Sequence, residues 1–579
     1  MSFRPVLALL GLLLACSSPT AVVDTDTATD APDAMTDAIA GGADVTATDT
    51  PTGDILPGTA AAADAGGPFV APQACTDGAW SAHAFSAGPY GTHRHELADD
   101  FALPMTDGTD WSLKAHWLGC ENYLFVPDTI PVSELDSTSI WNNAKDLASL
   151  VKKSPKNVHY FFVSLQSAAN AQAAIDDMQA RVDALLATLS EGDAAFWHEH
   201  LHVVATRAQE LGNWPGDVLT GHGQIGFGID RAQRIRGFGL LADVTRQKKA
   251  LSDAQKWPWE ANLAYALNEA VMYNGEQLRA DARVGEDALV VPAWQGEVLS
   301  QFAEMDVTLT TADKLAGYDT LEIDIDMRCP NPDAPEPGNC GAWDYIAALS
   351  VRDENGANVE IARFITSYHR ETHWSVDATP MLVYLRKGGT QHLHWEFAPS
   401  WNVQPTSTFL SLRFVNRKKG MQPTSVTKLW DGGGFNSKYD VLHPDQIAPI
   451  PAGAKKVELW ALITGHGSDT GTQCAEFCNH QHVFSVGGKT FTKVHPEAGS
   501  SNKCMPNMDK GMTPNQGGTW WFGRGGWCPG MQVDPWVADL AGAITNTTAS
   551  LTYHGQLGGK TPPDGSANID GAVWLVVYQ

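Results

Sequence analysis

From residue 291 onward, this 579-residue chain is built from short strand-like runs with Gly, Pro, Asn and Asp between them. Apolar and polar residues alternate within many of these runs, for example over 321–326, 409–414 and 456–463. Alternation with closely spaced turn residues is typical of antiparallel β-sandwiches, in which each sheet buries one face. The segment is long enough for two such domains, so we predict all-β sandwiches over residues 291–435 and 436–579.

The preceding segment, residues 76–245, alternates between strand-like and helix-like patterns. Apolar runs of strand length begin at residues 123, 158 and 201, and apolar residues at helical spacing lie between them. A hairpin with its turn at 230–233 follows. This order resembles a thioredoxin-like α/β domain, although residues 119–122 (Gly-Cys-Glu-Asn) lack the Cys-x-x-Cys motif that the redox members of that family need. We therefore predict a non-redox scaffold, followed by a helix-rich connector over residues 246–290.

The first 75 residues predict export and tethering rather than a folded domain. Arg4 precedes a short apolar run, and the Leu-Leu-Ala-Cys sequence that ends at Cys16 resembles a bacterial lipobox. The resemblance implies a signal peptide over residues 1–16 and lipidation of Cys16; the alternative is an ordinary signal peptide with an incidental cysteine. Residues 17–75 contain no Lys or Arg and many Asp, so we expect a disordered acidic tether. The expected location is the bacterial cell envelope, lipid-anchored at the outer membrane, or the exterior after secretion.

The net charge of −27 argues against nucleic acid as a partner, because a phosphate-binding surface needs clustered Lys and Arg. Export also bears on the nine cysteines of the chain. With Cys16 set apart, eight remain, and an even number in an exported chain favours disulfides over zinc. We expect one bridge between Cys75 and Cys120.

Two carboxylates lie beside cysteines in the C-terminal half. Glu476 is enclosed by Cys474 and Cys478, and Asp344 follows Trp343 after two further cysteines. Hydrolysis of an amide needs a proton delivered to nitrogen and a water that loses one, and two carboxylates with different pKa values can divide these tasks. A disulfide ring around a Glu would restrict its backbone, as a preorganised site requires. The pattern therefore predicts a hydrolase site with aromatic faces for sugars.

Over about residues 300–579 the chain resembles the peptide-N-glycosidase F family of bacterial amidases. The resemblance rests on four patches: the two cysteines before Trp343-Asp344, the Arg-Phe-Ile-Thr stretch 363–366, the Cys-Ala-Glu-Phe-Cys loop 474–478, and Cys504 with residues 526–531. It implies two jelly-roll domains side by side with the active site between them. It also implies three disulfides: Cys329–Cys340, Cys474–Cys478 and Cys504–Cys528.

The resemblance also implies roles for individual residues. Asp344 is the expected principal catalytic acid, Glu476 the second carboxylate that holds the sugar and orients the amide, and Glu396 a supporting glutamate. The expected substrate-binding residues line the cleft: Trp343, Ile365, Arg524 and Trp527. No metal or cofactor is expected. Four positions depart from the family pattern and bear on substrate choice: Tyr345, Phe477, Ala398 and His466.

The predicted activity is hydrolysis of the amide between the innermost N-acetylglucosamine and asparagine. The enzyme would be exported and monomeric, with N-glycoproteins or glycopeptides as substrates. It would release the glycan and convert Asn to Asp. The alternative is a catalytically inactive N-glycan-binding surface lipoprotein.

One other motif indicates a different class of enzyme. Residues 198–202 read His-Glu-His-Leu-His and satisfy the His-Glu-x-x-His pattern of zinc proteases, in which both histidines share one face of a helix. A strand is expected to begin at Leu201, which would separate the two histidines, and the downstream sequence offers no obvious third ligand. We therefore favour the amidase. His369 and His373 are interpreted as cleft or surface histidines in a loop, not as ligands.

Overall fold

The computed structural model describes residues 69–128, 140–141, 144–221, 226–237, 258–334, 336, 338–467, 474–500, 503–515 and 521–579. The predicted signal peptide with Cys16, and residues 17–68 of the predicted tether, lie outside these residues. None of the described helices is long and apolar enough to cross a membrane.

The N-terminal part folds into an α/β domain around a five-stranded sheet. Its strands are β1 (Ala102–Pro104), β2 (Asp110–Ser112), β3 (Asn122–Pro127), β4 (Val158–Val163), β5 (Leu201–Val203), β6 (Phe227–Ile229) and β7 (Ile235–Gly237). Its helices are α1 (Gln73–Asp77), α2 (Ala144–Lys153), α3 (Ala171–Leu186), α4 (Glu191–His198) and α5 (Trp214–Gly221). The sheet order is β5-β4-β3-β6-β7, in which β3, β4 and β5 are parallel while β6 and β7 each run antiparallel to their neighbour. Strands β1 and β2 form a separate antiparallel pair.

Every position of β3 and β4 is buried, as expected for parallel strands that are covered on both faces. The alternation of strands and helices and the terminal hairpin agree with the prediction, but helix α5 between β5 and the hairpin was not predicted. The thioredoxin-like classification stays a prediction. Helix α4 ends at His198, and β5 begins at Leu201. His198 and His202 therefore do not share a helical face, so the zinc-protease interpretation of residues 198–202 is wrong.

The predicted connector contains a single long helix, α6 (Pro258–Ala282). Its buried Tyr273 belongs to the same apolar cluster as Leu124 of β3 and Met508. Met508 lies in the 3-10 turn Met505–Lys510 of the C-terminal half. Helix α6 is thus a core element shared by the α/β domain and the C-terminal half, which goes beyond the expected connecting role.

Beyond α6 the chain forms two β-sandwiches. Their strands are β8 (Ala288–Leu299), β9 (Phe302–Thr311), β10 (Thr320–Arg328), β11 (Ile346–Arg352), β12 (Asn358–Ile365), β13 (Thr372–Asp377), β14 (Gly388–Glu396), β15 (Thr406–Val415), β16 (Pro423–Gly434), β17 (Gln446–Pro449), β18 (Lys456–His466), β19 (His480–Val486), β20 (Lys489–Val494), β21 (Met531–Gln532), β22 (Trp536–Asp539), β23 (Thr548–Leu557) and β24 (Asn568–Tyr578). Two short helices accompany them, α7 (Ala312–Leu315) and α8 (Leu382–Leu385).

Each sandwich packs two antiparallel sheets around one apolar core. The first combines sheet β13-β10-β15-β8 with sheet β21-β12-β11-β14-β9. The second combines sheet β16-β24-β18-β22 with sheet β17-β23-β19-β20. The two predicted sandwiches are therefore confirmed. Strand β16 pairs with β24, so the second sandwich begins before the predicted boundary at residue 436.

The two sandwiches are joined side by side. Trp460 of β18 and Trp574 of β24 pack into the core cluster of the first sandwich. Strand β21 comes late in the chain, yet it pairs with β12 of the first sandwich. This shared interface brings the loop after β12, the loop before β19 and the segment before β21 to one place.

One of the two histidines interpreted as loop residues lies elsewhere than expected. His373 is on β13, where its ring nitrogens lie 3.4 Å from Asp324 and 4.0 Å from Glu276 of α6. It therefore belongs to the contact between α6 and the first sandwich and not to a loop. His369 does lie in a loop, with a φ of 57°, and its amide donates to the Gly341 carbonyl over 2.8 Å.

Candidate active site

Asp344 lies between the Cys329–Cys340 disulfide and β11, and one threonine fixes the backbone on both of its sides. The Thr366 hydroxyl donates to the Trp343 carbonyl (2.5 Å) and accepts from the Tyr345 amide (2.8 Å). The Thr366 amide donates in turn to the Tyr345 carbonyl (2.9 Å). Because Thr366 directly follows β12, Asp344 is held against the end of that strand.

The Asp344 carboxylate has two partners. The Tyr368 hydroxyl donates to Oδ2 over 2.6 Å, and Nη2 of Arg524 lies 3.7 Å from the same oxygen. The side chain is 18% exposed, so it is not fully enclosed. Burial raises the pKa of Asp344, while the Arg524 charge and the Tyr368 hydrogen bond oppose that rise. The net result is an acid with a pKa above its usual range.

Glu476 enters the same site from the second sandwich. The Cys474–Cys478 disulfide closes a small ring around it, with Cα atoms 5.6 Å apart. Its carbonyl accepts from the Gly525 amide (2.6 Å), and its Oε1 accepts from Nε of Arg524 (3.2 Å). Burial raises the pKa of Glu476; the Arg524 charge opposes the rise, and the negative charge of Asp344 adds to it. The two predicted catalytic carboxylates are thus brought together and share one guanidinium.

Arg524 and Trp527 form the buried floor of the site. The Arg524 side chain is 1% exposed, and its guanidinium carbon lies 4.7 Å from the ring centre of Trp527 and 5.1 Å from that of Phe477. Nε1 of Trp527 donates to the Gly465 carbonyl (2.8 Å), and its ring stacks on His466 at 5.1 Å. Trp527 is therefore not open for sugar stacking, contrary to the sequence-based expectation. Instead it holds Arg524 in place.

Exposed aromatic rings border the Asp344 side of the site. Trp343 is 52% exposed and Trp401 is 78% exposed. The Tyr345 ring meets Trp401 edge-on at 6.0 Å, and the Asn402 side-chain amide donates to the Tyr345 hydroxyl (2.7 Å). Rings presented in this way offer apolar faces to sugars. We call Trp343, Tyr345 and Trp401 the aromatic rim.

The four departures from the family pattern fall in different places. Phe477 and His466 contact the floor residues, whereas Tyr345 belongs to the aromatic rim and Ala398 is buried. Burial lowers the pKa of His466 to about 4. This ring is therefore neutral at neutral pH and adds no charge beside the carboxylates.

The structure does not bring every predicted residue to the carboxylate pair. Ile365 is completely buried in the core of the first sandwich, so its side chain does not line an open cleft, and its role in substrate binding stays a prediction. Its carbonyl accepts from the Gly530 amide (3.1 Å) and so helps to shape the backbone near the site. Glu396 ends β14, and its 56% exposed carboxylate lies 3.6 Å from His394. Within the described residues no contact joins Glu396 to the pair, and its supporting role stays a prediction.

Sequence reasoning missed Tyr368, which contacts Asp344 directly. The only signal was its place, two residues after the Arg-Phe-Ile-Thr stretch. Its segment continues to Arg370, whose guanidinium contacts Glu269 of α6 (2.6 Å) and Glu336 (2.6 Å). All three members of this ion-pair group are almost fully buried.

The next residue extends this anchoring to the α/β domain. Glu371 contacts Nε of Arg94 (2.9 Å) and Nε2 of His95 (2.7 Å), both from the segment before β1. The loop that carries Tyr368 is therefore fixed by charges from the N-terminal part of the chain. A site in the sandwiches thus depends on residues from a different domain.

The cysteines among the described residues form four disulfides, which agree with the expected pairing: Cys75–Cys120, Cys329–Cys340, Cys474–Cys478 and Cys504–Cys528. Two of these bonds border the site. The Cys474–Cys478 bond encloses Glu476, and Cys528 directly follows Trp527 of the floor.

Among the described residues, three groups of side chains have possible metal-ligand atoms within 4.8 Å of one another. In the group of Cys329, Cys340 and Glu371 both cysteines are consumed in a disulfide, which leaves two groups that could hold an ion. One is His480, His482 and His495 in the second sandwich. The other is in the α/β domain, where Glu121 lies 3.0 Å from Nε2 of His159 and 3.2 Å from Nε2 of His200. Burial opposes ionisation of Glu121, but the hydrogen bonds from both histidines outweigh it and lower its pKa to about 2. His200 of the 198–202 stretch is thus paired with Glu121.

The C-terminal half of this chain is similar to known proteins of the peptide-N-glycosidase F family. A family model described as "Peptide-N-glycosidase F, C terminal" matches residues 438–577. The peptide-N(4)-(N-acetyl-beta-D-glucosaminyl)asparagine amidase F of Elizabethkingia miricola is 26% identical over 277 residues, which cover 45% of this chain and 73% of the relative.

Solved structures are similar over about half of this chain. PNGase F, a glycosylasparaginase from Flavobacterium meningosepticum, matches with 21% identity and a TM-score of 0.40, covering 50% of this chain and 96% of that chain. PNGF-II matches with 13% identity and a TM-score of 0.36, covering 50% of this chain and 65% of that chain.

Proposed function

We propose, on the premise that the C-terminal half of this chain is related to the peptide-N-glycosidase F family, that the protein hydrolyses the amide between the innermost N-acetylglucosamine and asparagine of N-glycoproteins or glycopeptides. Water adds to the amide carbon, the C–N bond breaks, the glycan leaves as a glycosylamine, and Asn becomes Asp. One observation carries the proposal. Arg524 contacts both Asp344 and Glu476, so two carboxylates from separate sandwiches face one reaction space.

Asp344 is suited to the role of general base. Tyr368 and Arg524 stabilise its ionised form, while burial keeps its pKa above that of a free aspartate. A base of this kind removes a proton from water as the water oxygen bonds to the amide carbon. Thr366 holds the backbone on both sides of Asp344, which supports the fixed placement that such a step needs.

Glu476 is suited to the complementary role of proton donor. Burial and the charge of Asp344 both favour its neutral acid form, although Arg524 opposes them. Its proton would pass to the leaving nitrogen as the C–N bond breaks, and the proton that Asp344 takes from water restores the charge of the pair. The unprotonated oxygen can accept a hydrogen bond from a sugar hydroxyl, in keeping with the role in holding the sugar.

The direct test incubates the purified protein with a denatured N-glycoprotein in water enriched in heavy oxygen. We expect free glycan, together with aspartate that carries the heavy oxygen at each formerly glycosylated position, as read by peptide mass spectrometry. The Asp344→Asn protein, prepared in parallel, reports any contaminating activity. If the parent protein produces neither product, the proposed amidase activity is rejected.

A glycan-binding protein without turnover is the second candidate. The exposed rings of Trp343 and Trp401 could bind a sugar without any contribution from the carboxylates. Tyr345 and His466 depart from the family pattern, which also favours a protein that binds glycans without hydrolysing them. Binding of an N-glycopeptide measured by calorimetry separates the two candidates. A parent protein that binds the glycopeptide but releases no glycan would establish the second one.

We also propose that the protein is exported, monomeric and attached to the outer membrane through lipidated Cys16. The four disulfides support an oxidising compartment, because such bonds rarely persist in the cytosol. We assign a non-redox, thioredoxin-like scaffold role to the α/β domain, in which both cysteines are consumed in one bond. Its contacts through Arg94 and α6 support a positioning role for the neighbouring site.

A further inference from the structure

Three histidines of the second sandwich meet behind the Glu476 loop. His480 and His482 lie on β19, two residues apart, so both side chains point to the same face of the sheet. His495 directly follows β20, the strand that pairs with β19. Their exposed fractions are 0%, 0% and 3%. We call these three residues the histidine cluster.

The hydrogen bonds of the histidine cluster leave Nε2 of His480 and Nε2 of His495 without a hydrogen-bond partner among the described residues. Nδ1 of His480 lies 2.7 Å from Nε2 of His482, and Nδ1 of His482 lies 2.6 Å from the Tyr553 hydroxyl. An imidazole that binds a metal through one nitrogen typically uses the other to contact an outer polar group, as His482 does here. Nε2 of His495 is buried and has no hydrogen-bond partner in the described part of the chain. A buried nitrogen without a hydrogen-bond partner lowers the stability of the folded protein, and a bound ligand would remove that penalty.

The backbone packs closely against the rings because three glycines surround them. A Cβ added to Gly465 or to Gly525 would lie 2.4 Å from Nε2 of His480. A Cβ added to Gly526, whose φ is +94°, would lie 2.8 Å from Cε1 of His495. The rings are therefore held by close backbone contact, which preorganises the three nitrogens.

The chemistry of the cluster selects a class of ion. The three side chains offer imidazole nitrogens as ligands, and no carboxylate belongs to the group. Neutral imidazole is the form that binds metal. Nitrogen ligands suit zinc and its first-row neighbours, whereas magnesium and calcium prefer oxygen.

We infer that His480, His482 and His495 bind one first-row transition-metal ion of the zinc class. Zinc–nitrogen bonds of about 2.0–2.1 Å place tetrahedral ligands roughly 3.4 Å apart, and one ligand atom from each of the three rings lies within 4.8 Å of the others. Nδ1 of His480 and Nε2 of His482 are only 2.7 Å apart, so binding of the ion replaces the hydrogen bond between these two rings. The Glu121 group of the α/β domain is the weaker candidate, because both carboxylate oxygens of Glu121 already contact histidines.

The bound ion has a structural role at the proposed site. The His480 amide donates to the Cys478 carbonyl (2.9 Å), at the end of the disulfide ring around Glu476. The Gly525 amide donates to the Glu476 carbonyl (2.6 Å), and Gly525 packs on His480. An ion in the histidine cluster would thus fix the backbone of both Glu476 and Arg524. No step of the hydrolysis passes through the ion.

The experiment uses the full chain without a histidine tag, stripped with a chelator and freed of it by dialysis. Zn²⁺ is added in slight excess, unbound ion is removed by gel filtration, and the retained metal is measured by elemental analysis. We expect one retained zinc ion per chain and a rise of a few degrees in Tm relative to the stripped protein, because an ion that binds only the folded state stabilises it. Mg²⁺ at the same concentration should give neither effect.

Two variants locate the ion. His495→Gln should abolish zinc retention and the rise in Tm, whereas the matched variant His159→Gln, which removes a histidine of the Glu121 group, should preserve both. These readouts do not require glycan release, so they stand if the proposed activity fails. If a variant does not fold, zinc retention and the Tm of the stripped parent protein still test whether the chain binds an ion. Absence of retained zinc in the parent, or loss of zinc with His159→Gln but not with His495→Gln, would overturn the inference.

Discussion

The hydroxyl of Tyr368 donates a 2.6 Å hydrogen bond to Oδ2 of Asp344. Burial and the nearby Asp344 charge raise the pKa of Tyr368 well above its usual range, so the phenol stays protonated and remains a donor. Two residues further on, Arg370 binds Glu269 of α6. The contact between Arg370 and α6 therefore helps to position the Tyr368 hydroxyl. That position in turn affects the pKa of Asp344, the proposed base.

Replacing Tyr368 with Phe should shift the pH dependence of glycan release. The hydrogen bond stabilises the ionised form of Asp344, so its loss raises the pKa of Asp344 further. A base with a higher pKa loses its activity at a higher pH, and the acid limb of the kcat/KM profile should move upward. Tyr318→Phe is the control, because the Tyr318 ring packs against Phe414 of β15 and, among the described residues, no hydrogen bond joins it to either carboxylate. An unchanged acid limb with a lower plateau would mean that Tyr368 does not act on Asp344.

Replacing Asp344 with Asn should lower glycan release by a factor of about 100 or more, the usual scale of general acid–base catalysis. Glu476→Gln should lose most of the activity, with part of the loss in KM. Because both residues share Arg524, the double variant should lose less than the product of the single losses. Steady-state kinetics on a labelled glycopeptide provide the measurement. Glu396→Gln should lower glycan release less than either of these changes. A loss as large as that of Asp344→Asn would contradict the supporting role assigned to Glu396.

Replacing Glu269 with Gln should destabilise the protein and lower glycan release together. Removing one partner of a buried ion pair typically costs about 3 kcal/mol, and Arg370 would lose a contact that positions the Tyr368 loop. Urea unfolding measures the first effect and kcat the second. The exposed pair Lys156–Asp193 supplies a control, since Asp193→Asn should change neither quantity. A destabilised Glu269→Gln protein with full kcat would separate the α/β domain from the site.

Replacing Glu121 with Gln should flatten the dependence of stability on pH in acid. The folded-state pKa of Glu121 is about 2, compared with the ordinary 4.5, so its stabilising contribution is present above about pH 4.5 and is lost as the pH falls toward 2. The full shift corresponds to about 3 kcal/mol. The free energy of unfolding in urea, measured near neutral pH and near pH 3, should fall less in the variant than in the parent. Equal losses would show that Glu121 does not control this pH response.

Replacing Cys16 with Ser should release the protein from membranes, because the proposed lipid attachment needs the thiol. Membrane and soluble fractions compared by immunoblotting provide the measurement. Ser retains nearly the size of Cys, so export itself should continue. Unchanged membrane fractionation would show that Cys16 is incidental.

Much of the fold follows from local sequence patterns. Alternation and turn residues predicted the two sandwiches, and apolar runs predicted the order of the α/β domain, because a strand needs only its own residues to define its two faces. The second sandwich begins before the predicted boundary at residue 436, because β16 pairs with β24, which lies far along the chain. Helix α6 was expected to connect and instead forms part of a shared core, a role that its own periodicity does not reveal.

For the candidate site, the sequence by itself determined that Asp344 and Glu476 are the carboxylates to consider, because cysteines and tryptophans mark them locally. Only the tertiary structure decided that Arg524 joins them, that Trp527 is covered, and that Tyr368 donates to Asp344. The residues that these contacts join are at least 24 positions apart in the sequence, and Glu476 and Arg524 are 48 positions apart. Linear spacing does not say which side chains meet across an interface; the packing of the two sandwiches and α6 decides it.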